Sequence, residues 1–140
     1  MYVTLTKKSI AVVLAAVVLA LILIGQLLTV SSDSIDASTN EKRVQYLKSL
    51  GFSVDETAQS VKETVLPMEF GDVYKKYNNL QRKAGFDLSN YRGKTVMVYT
   101  YLLLQDGETA VHLMVCDGKV IGGDIASLKI DGEMKPLSKG

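Results

Sequence analysis

The pattern of apolar residues opens with one long run. From Ile10 to Val30 the chain has no charged residue. A helix rises about 1.5 Å per residue, so this run would cross about 30 Å, the thickness of a bilayer's hydrocarbon core. Lys7 and Lys8 precede the run, whereas Asp33 and Asp36 follow it. By the positive-inside rule we predict a single transmembrane helix whose C-terminal side faces out of the cytosol.

The alternative is a cleaved signal peptide. Its apolar core normally spans about 7–15 residues and ends before small residues at a cleavage site. The run in this chain is longer, and Val30-Ser31-Ser32 is only a weak site. We therefore favour an anchor over 10–30, with 1–9 in the cytosol; cleavage would instead give a secreted domain.

The segment 31–39 separates the anchor from a folded domain that we place at 40–134. Small polar residues dominate this segment, so we interpret it as a flexible linker. Ser38 and Glu41 then have the spacing of a capping box. This spacing predicts that the first helix of the domain begins near Asn40.

Both predicted helices of the domain end in the same way. The first, at about 40–50, is followed by Gly51-Phe52, and the second by Gly85-Phe86. Glycine takes the left-handed conformation that closes a helix, and the next apolar residue folds back on the last turn. The second helix follows Pro67 and has apolar side chains at helical spacing, namely Phe70, Val73, Tyr74, Tyr77, Leu80 and Ala84.

Four stretches have the composition of β-strands. The first, at 57–66, carries Lys62 and Glu63 and is expected at a sheet edge. Asp-Gly turns separate the other three, at 95–104, 109–116 and 119–128. Gly122-Gly123 within the last strand indicates a bulge or a close backbone approach.

The predicted order is helix, strand, helix and then three strands. Two amphipathic helices can bury their apolar sides against one face of an antiparallel sheet. We therefore predict an α+β fold, in which an N-terminal transmembrane helix precedes a two-layer domain. In that domain, two helices pack on a mainly antiparallel four-stranded sheet, and 135–140 form a tail.

Charge and composition narrow the possible partners. The chain has a net charge of +1, and Lys7 and Lys8 precede the anchor, so the remainder is close to neutral. A nucleic-acid-binding domain needs a basic face that displaces counterions from phosphates. The balance of charge therefore argues against nucleic acid as a partner.

No motif for catalysis, cofactor or metal binding stands out, and we expect none of these functions. The chain has one cysteine and one histidine, too few for a Cys/His zinc cage. His112 and Cys116 share a face of a predicted strand but stand about 13 Å apart at about 3.3 Å per residue, too far for a dyad. We interpret Cys116 as a small buried residue and His112 as a strand-surface residue. Asp87 and Asp124 lie beside turns and are the remaining candidates for a carboxylate site.

Tyrosine is abundant in a domain that has no tryptophan. Most tyrosines are expected in the core, but Tyr91 and its neighbour Arg92 lie in a loop. Tyr99 and Tyr101 lie on a predicted strand, where one of them could face solvent. Because aromatic and arginine side chains dominate binding energies, Tyr91, Arg92, Tyr99 and Tyr101 form a candidate recognition surface.

From about Asn40 to Met134 the chain resembles a bacterial family known as domain of unknown function 4830. The resemblance rests on several short motifs in this sequence, among them Leu50-Gly51-Phe52, Pro67-Met-Glu69-Phe70, Gly85-Phe86-Asp87-Leu88-Ser89, Tyr91-Arg92-Gly93-Lys94 and Asp117-Gly118-Lys119-Val120-Ile121-Gly122-Gly123-Asp124. It implies a membrane-anchored domain of Clostridia-like Gram-positive bacteria and no particular activity. The chain departs from the family pattern after Asp131-Gly132.

Three functional hypotheses follow from the sequence. The first is a single-pass membrane protein with a small, non-catalytic extracytoplasmic domain that binds an envelope protein, a peptide or a wall component. The second is an extracytoplasmic enzyme that uses carboxylates near Asp87 and Asp124. The third is a structural subunit of a membrane complex. We favour the first, because the chain combines an anchor with an exposed edge strand and lacks a catalytic motif.

Overall fold

The computed structural model of the protein describes residues 6–27 and 34–138. The chain divides into two compact units, Met1–Asp33 and Ser34–Gly140. The first contains helix α1, Lys7–Leu27, whose residues from Lys7 to Ile22 are all exposed. Among the described residues there is no helix of sufficient length and apolarity to cross a membrane. The predicted anchor at 10–30 includes 28–30, which lie outside the described residues.

Among its described residues, 34–138, the second unit contains two α-helices, a 3₁₀ helix and five strands. In chain order they are α2 Asn40–Ser49, β1 Ser60–Val65, α3 Asp72–Lys83, the 3₁₀ helix Leu88–Tyr91, β2 Thr95–Leu102, β3 Thr109–Cys116, β4 Lys119–Ser127 and β5 Met134–Pro136. The predicted α+β class and the meander of β2 to β4 are confirmed.

The sheet has five antiparallel strands in the order β1-β2-β3-β4-β5, not the four that the sequence predicted. The additional strand, β5, pairs with β4 over Asp124 to Ala126. Leu137, which follows β5, is only 2% exposed. The predicted tail at 135–140 was therefore wrong for its first residues, because a three-residue strand is too short to show an alternating pattern.

The two helices lie on opposite faces of the sheet, so the two-layer prediction was wrong. Side chains of β3 alternate between the faces. Leu113 belongs to the apolar cluster that contains Val44 and Leu47 of α2. Met114 belongs to a second cluster, against which Tyr77 of α3 packs. β3 is apolar on both faces, and this central strand is therefore buried between two helical layers.

The domain begins before Asn40, inside the segment predicted to be a linker. The amide of Ala37 donates to the carbonyl of Gly118 at 2.8 Å, and the amide of Val120 donates to the carbonyl of Ile35 at 2.9 Å. Ala37 is fully buried. The segment 34–39 is therefore part of the domain; residues 31–33 lie outside the described residues. The N-cap of α2 is Thr39, one residue beyond the predicted Ser38.

The predicted ends of both helices are confirmed. Gly51 and Gly85 have φ values of 93° and 86°. The amide of Phe52 donates to the carbonyl of Leu47 at 3.0 Å, and the amide of Phe86 donates to the carbonyl of Gln81 at 3.1 Å. These bonds satisfy carbonyl groups that the helix leaves without a partner.

The buried side of α3 differs from the predicted apolar stripe. The helix begins at Asp72, not after Pro67, and Val73 is 79% exposed. Asn78 and Gln81 are buried in its place. The side-chain oxygen of Gln81 accepts from the amide of Gly123 at 2.8 Å. The side-chain oxygen of Asn78 likewise accepts from the amide of Leu88 at 2.7 Å. Polar residues can therefore face the core here, because buried backbone amides need acceptors.

The predicted irregularity at Gly122-Gly123 is confirmed. Met114 pairs with Gly122 but Val115 pairs with Val120, so Ile121 is an additional residue in β4. A side chain at Gly123 would meet the carbonyl oxygen of His112. The glycines therefore permit a close backbone approach beside a bulge.

Candidate functional site

The structure divides the predicted recognition surface between the two faces of the sheet. Tyr99 packs against the cluster beneath α2, whereas Tyr91 packs against the cluster beneath α3. Tyr101 is fully buried, so its assignment to a surface was wrong. Its hydroxyl donates to Oδ1 of Asn40 at 2.8 Å and accepts from Nε of Arg43 at 3.0 Å. Tyr101 therefore connects β2 to α2 inside the domain.

Tyr99 is half-buried and supports Arg43. The Arg43 guanidinium carbon lies 3.7 Å from the centroid of the Tyr99 ring. Nη1 of Arg43 donates to the carbonyl of Ala37 at 2.8 Å. Tyr99 also lies directly opposite Val61 of β1, which is 51% exposed. The outer part of this tyrosine therefore adjoins the free edge of the sheet.

Arg92 lies at the opposite face, beside a depression between α3 and the 3₁₀ helix. The depression has a volume of about 120 Å³. Three of its lining residues are basic: Lys75 and Arg82 on α3, and Arg92. The guanidinium carbon of Arg92 lies 5.0 Å from the ring centroid of Phe70, which forms part of the same lining. Arg92, a predicted recognition residue, therefore belongs to a basic pocket.

Asp87 lies next to this pocket and caps the 3₁₀ helix. Its Oδ1 accepts from Nδ2 of Asn78 at 2.9 Å and from the amide of Ser89 at 2.9 Å. These hydrogen bonds, the one from Asn78 first, hold the pKa of the Asp87 carboxyl well below its usual range. Arg82 approaches the other oxygen of Asp87 at 3.3 Å. Asp87 therefore remains ionised and neutralises part of the basic charge.

A second polar cluster joins β3, β4 and α3. Nδ1 of His112 lies 2.8 Å from Oδ1 of Asp124, and the Tyr77 hydroxyl donates to Oδ2 of Asp124 at 2.6 Å. Asp124 is 3% exposed. Burial raises the pKa of Tyr77 far above its usual range, and the Asp124 charge adds to this effect. Tyr77 therefore stays neutral and acts as a donor to the buried carboxylate.

The enzyme hypothesis placed Asp87 and Asp124 at one site, but the structure gives them separate hydrogen-bond partners. Asn78, Ser89 and Arg82 contact Asp87, while His112 and Tyr77 contact Asp124.

Cys116 is buried as predicted, and burial raises the pKa of its thiol. Within the described residues, no group of three or more His, Cys, Asp and Glu side chains could hold a metal ion.

Sequence reasoning missed the pairing of His112 with Asp124. Cys116 pairs with Lys119 across the Asp117-Gly118 turn. A regular hairpin with this pairing would place Gly123 opposite His112. The extra residue in β4 shifts the register by one, so Asp124 pairs with His112. The Gly-Gly pair was the available signal, since it indicated a bulge without giving its position.

The fold and the two polar clusters define a small α+β domain with a basic pocket on one face. The family described as Domain of unknown function (DUF4830) matches residues 46–125, which is more than half of the chain. The chain belongs to this family, and the resemblance noted in the sequence is confirmed. No curated protein and no solved structure matches the chain. The matched residues contain β1, α3, the basic pocket and the His112–Asp124 pair.

Proposed function

We propose that this protein is a membrane-tethered extracytoplasmic domain that binds an extended segment of a partner protein along strand β1. One observation carries the proposal: β1 is a terminal strand of the sheet and bears exposed apolar side chains. An extended peptide that joins such an edge gains main-chain hydrogen bonds, and its alternate side chains meet the neighbouring surface.

The register shows which backbone groups of β1 are available. The amide of Leu66 donates to the carbonyl of Lys94, and Leu103 donates to Thr109 on the other side of β2. In an antiparallel ladder, the groups that face one neighbour recur at every second residue. The even-numbered residues of β1 therefore pair with β2, and the N–H and C=O groups of Val61, Glu63 and Val65 point away from it.

The side chains of the same three residues share one face of the strand. Val61 and Val65 are 51% and 58% exposed, and Glu63 lies between them. Tyr99 lies beside Val61 on the adjoining strand. A partner strand with apolar residues opposite the two valines and a basic residue opposite Glu63 would match this surface. Lys62 and Glu63 also oppose indiscriminate pairing, because charges on an edge strand discourage aggregation.

The sequence supports the tether. The uncharged run at 10–30 is long enough to cross a bilayer, and Lys7 and Lys8 lie on its N-terminal side. In α1 the apolar side chains surround the helix, and residues such as Val12, Leu19 and Leu21 are more than half exposed. A helix that is apolar all round requires an apolar environment. We propose a bilayer for this environment, with the domain on its outer side.

Site-specific photo-crosslinking in intact cells tests binding along β1. With a photoreactive residue at Val61, we expect a discrete crosslinked product. Glu63→Pro removes the outward N–H while leaving the ladder with β2 intact, and we expect it to abolish the product. Glu63→Ala is the matched control, because it removes the same side chain but keeps the N–H. Persistence of the product in Glu63→Pro would contradict the proposal.

The tether is tested on the same cells. Protease added outside intact cells should degrade the domain, and the remaining N-terminal fragment should stay in the membrane fraction after alkaline extraction. A domain that is protected until the cells are lysed would contradict the proposed orientation. Recovery from the medium of a shortened chain that lacks the uncharged run at 10–30 would support the cleaved-signal alternative.

A further inference from the structure

We propose that the depression between α3 and the 3₁₀ helix binds a phosphate group. This site lies on the face of the sheet that α3 covers, and it shares no residue with the β1 surface. The proposal does not depend on binding along β1, because Phe70, Lys75, Arg82 and Arg92 line the pocket without any contribution from β1.

The basic side chains reach the depression from different elements. Lys75, Asn79 and Arg82 lie at i, i+4 and i+7 on α3, which places them on one side of the helix. Arg92 comes from the segment after the 3₁₀ helix. Within the part of the chain that the structure describes, Arg82 pairs with Asp87, whereas Lys75 and Arg92 form no ion pair. Two of the three cations are therefore unneutralised.

Phe70 orients one of these cations. The Arg92 guanidinium lies 5.0 Å above its ring, and Phe70 itself packs on Tyr74 at 5.4 Å between centroids. Stacking on an aromatic face restricts a guanidinium without using its N–H donors. Those donors remain available to a ligand in the depression. Asn79 supplies an amide at the same lining.

The charge and size of the pocket favour phosphate over carboxylate. A carboxylate has one negative charge and two oxygens in a plane. Cations that converge from two elements suit an anion with more charge and with oxygens in several directions, and arginine forks match phosphate geometry. The depression has a volume of about 120 Å³, against the roughly 10–15 Å³ that holds one water, so it has room for one phosphate group. A soluble phosphate monoester and the phosphomonoester headgroup of phosphatidic acid both present this group.

Calorimetric titration of the full chain in an uncharged detergent tests the site, with glycerol 3-phosphate as the ligand. We expect saturable binding that Arg92→Gln and Lys75→Gln each weaken by roughly tenfold, because each removes a charge-assisted hydrogen bond. Lys76→Gln is the matched control. Lys76 is the next residue of α3, about 100° around the helix, and lies outside the pocket lining. Removal of its charge should change the affinity less than about threefold.

Other ligands identify the anion and its source. Acetate should bind more weakly than glycerol 3-phosphate. Tighter binding of short-chain phosphatidic acid would assign the site to a lipid headgroup, and tighter binding of glycerol 3-phosphate would assign it to a soluble ester. Absence of saturable binding, preference for acetate, or equal weakening by Lys76→Gln would each overturn the proposal. The β1 variant Glu63→Pro should leave phosphate binding unchanged, so failure of one proposal is distinguishable from failure of the other.

Discussion

His112 and Asp124 face each other directly across β3 and β4, and 2.8 Å separates Nδ1 of the histidine from Oδ1 of the aspartate. Tyr77 of α3 completes the cluster by donating to the second carboxylate oxygen. A buried carboxylate is costly unless its oxygens accept hydrogen bonds. The cluster therefore connects α3 to the centre of the sheet. Loss of the contact between Tyr77 and Asp124 would lower the stability of the domain.

Replacement of Tyr77 by phenylalanine should destabilise the domain by about 1–2 kcal/mol, because the buried Asp124 carboxylate then loses a donor. Urea denaturation measures this difference in the free energy of unfolding. Tyr74→Phe is the control, since it removes a hydroxyl from the same helix without affecting Asp124. An equal loss in both variants would show that the Tyr77–Asp124 contact has no special role.

The stability of the domain should also depend on Tyr77 at alkaline pH. Burial, and then the Asp124 charge, raise the pKa of Tyr77 above its ordinary value of 10.0. The folded state therefore holds the phenolic proton more tightly than the unfolded chain does. This contribution is complete below about pH 10 and is lost as the pH rises further. From about pH 10 to 12 the free energy of unfolding of the native protein should therefore fall more than that of Tyr77→Phe. Parallel curves of unfolding free energy against pH for the two proteins would contradict this.

Substitution of Gly123 by alanine should destabilise the domain by about 2–3 kcal/mol or prevent folding. The new methyl group would meet the carbonyl oxygen of His112 and lie 2.8 Å from Cδ2 of Leu137. Gly71→Ala provides the comparison, because nothing lies within 4 Å of a side chain there. Gly71 is the N-cap of α3, and an alanine there should cost only about 0.5–1 kcal/mol. Thermal unfolding followed by circular dichroism would rank the two variants.

Replacement of Arg43 by lysine should cost about 2–3 kcal/mol although the charge is retained. Lysine cannot reproduce both the bond to Tyr101 and the stacking on Tyr99. The exposed pair of Lys48 with Glu56 is the control, and Lys48→Gln should change stability by less than about 1 kcal/mol. Denaturant midpoints of these variants measure the difference. If Arg43 acted only through its charge, Arg43→Lys would leave the stability nearly unchanged.

Local features of the sequence determined the fold class and much of its detail. The glycines at 51 and 85 end their helices because a left-handed residue is required there, whatever surrounds it. The Asp117-Gly118 turn predicted the β3–β4 hairpin, and the charges in 57–66 predicted an edge strand. Arg92 was also identified as a surface residue from its place in a loop. Each of these inferences depends on residues that are close together along the chain.

Tertiary structure alone decided how these elements combine. β3 is apolar on both faces, and only packing shows that α2 and α3 cover opposite ones. Tyr99 and Tyr101 have similar neighbours in sequence, yet Tyr101 is buried because Arg43 and Asn40 satisfy its hydroxyl. The single extra residue at Ile121 determines that Asp124, not a glycine, faces His112. Such choices depend on contacts between residues far apart in the chain, where several arrangements satisfy the same local pattern and the free energy of packing selects one.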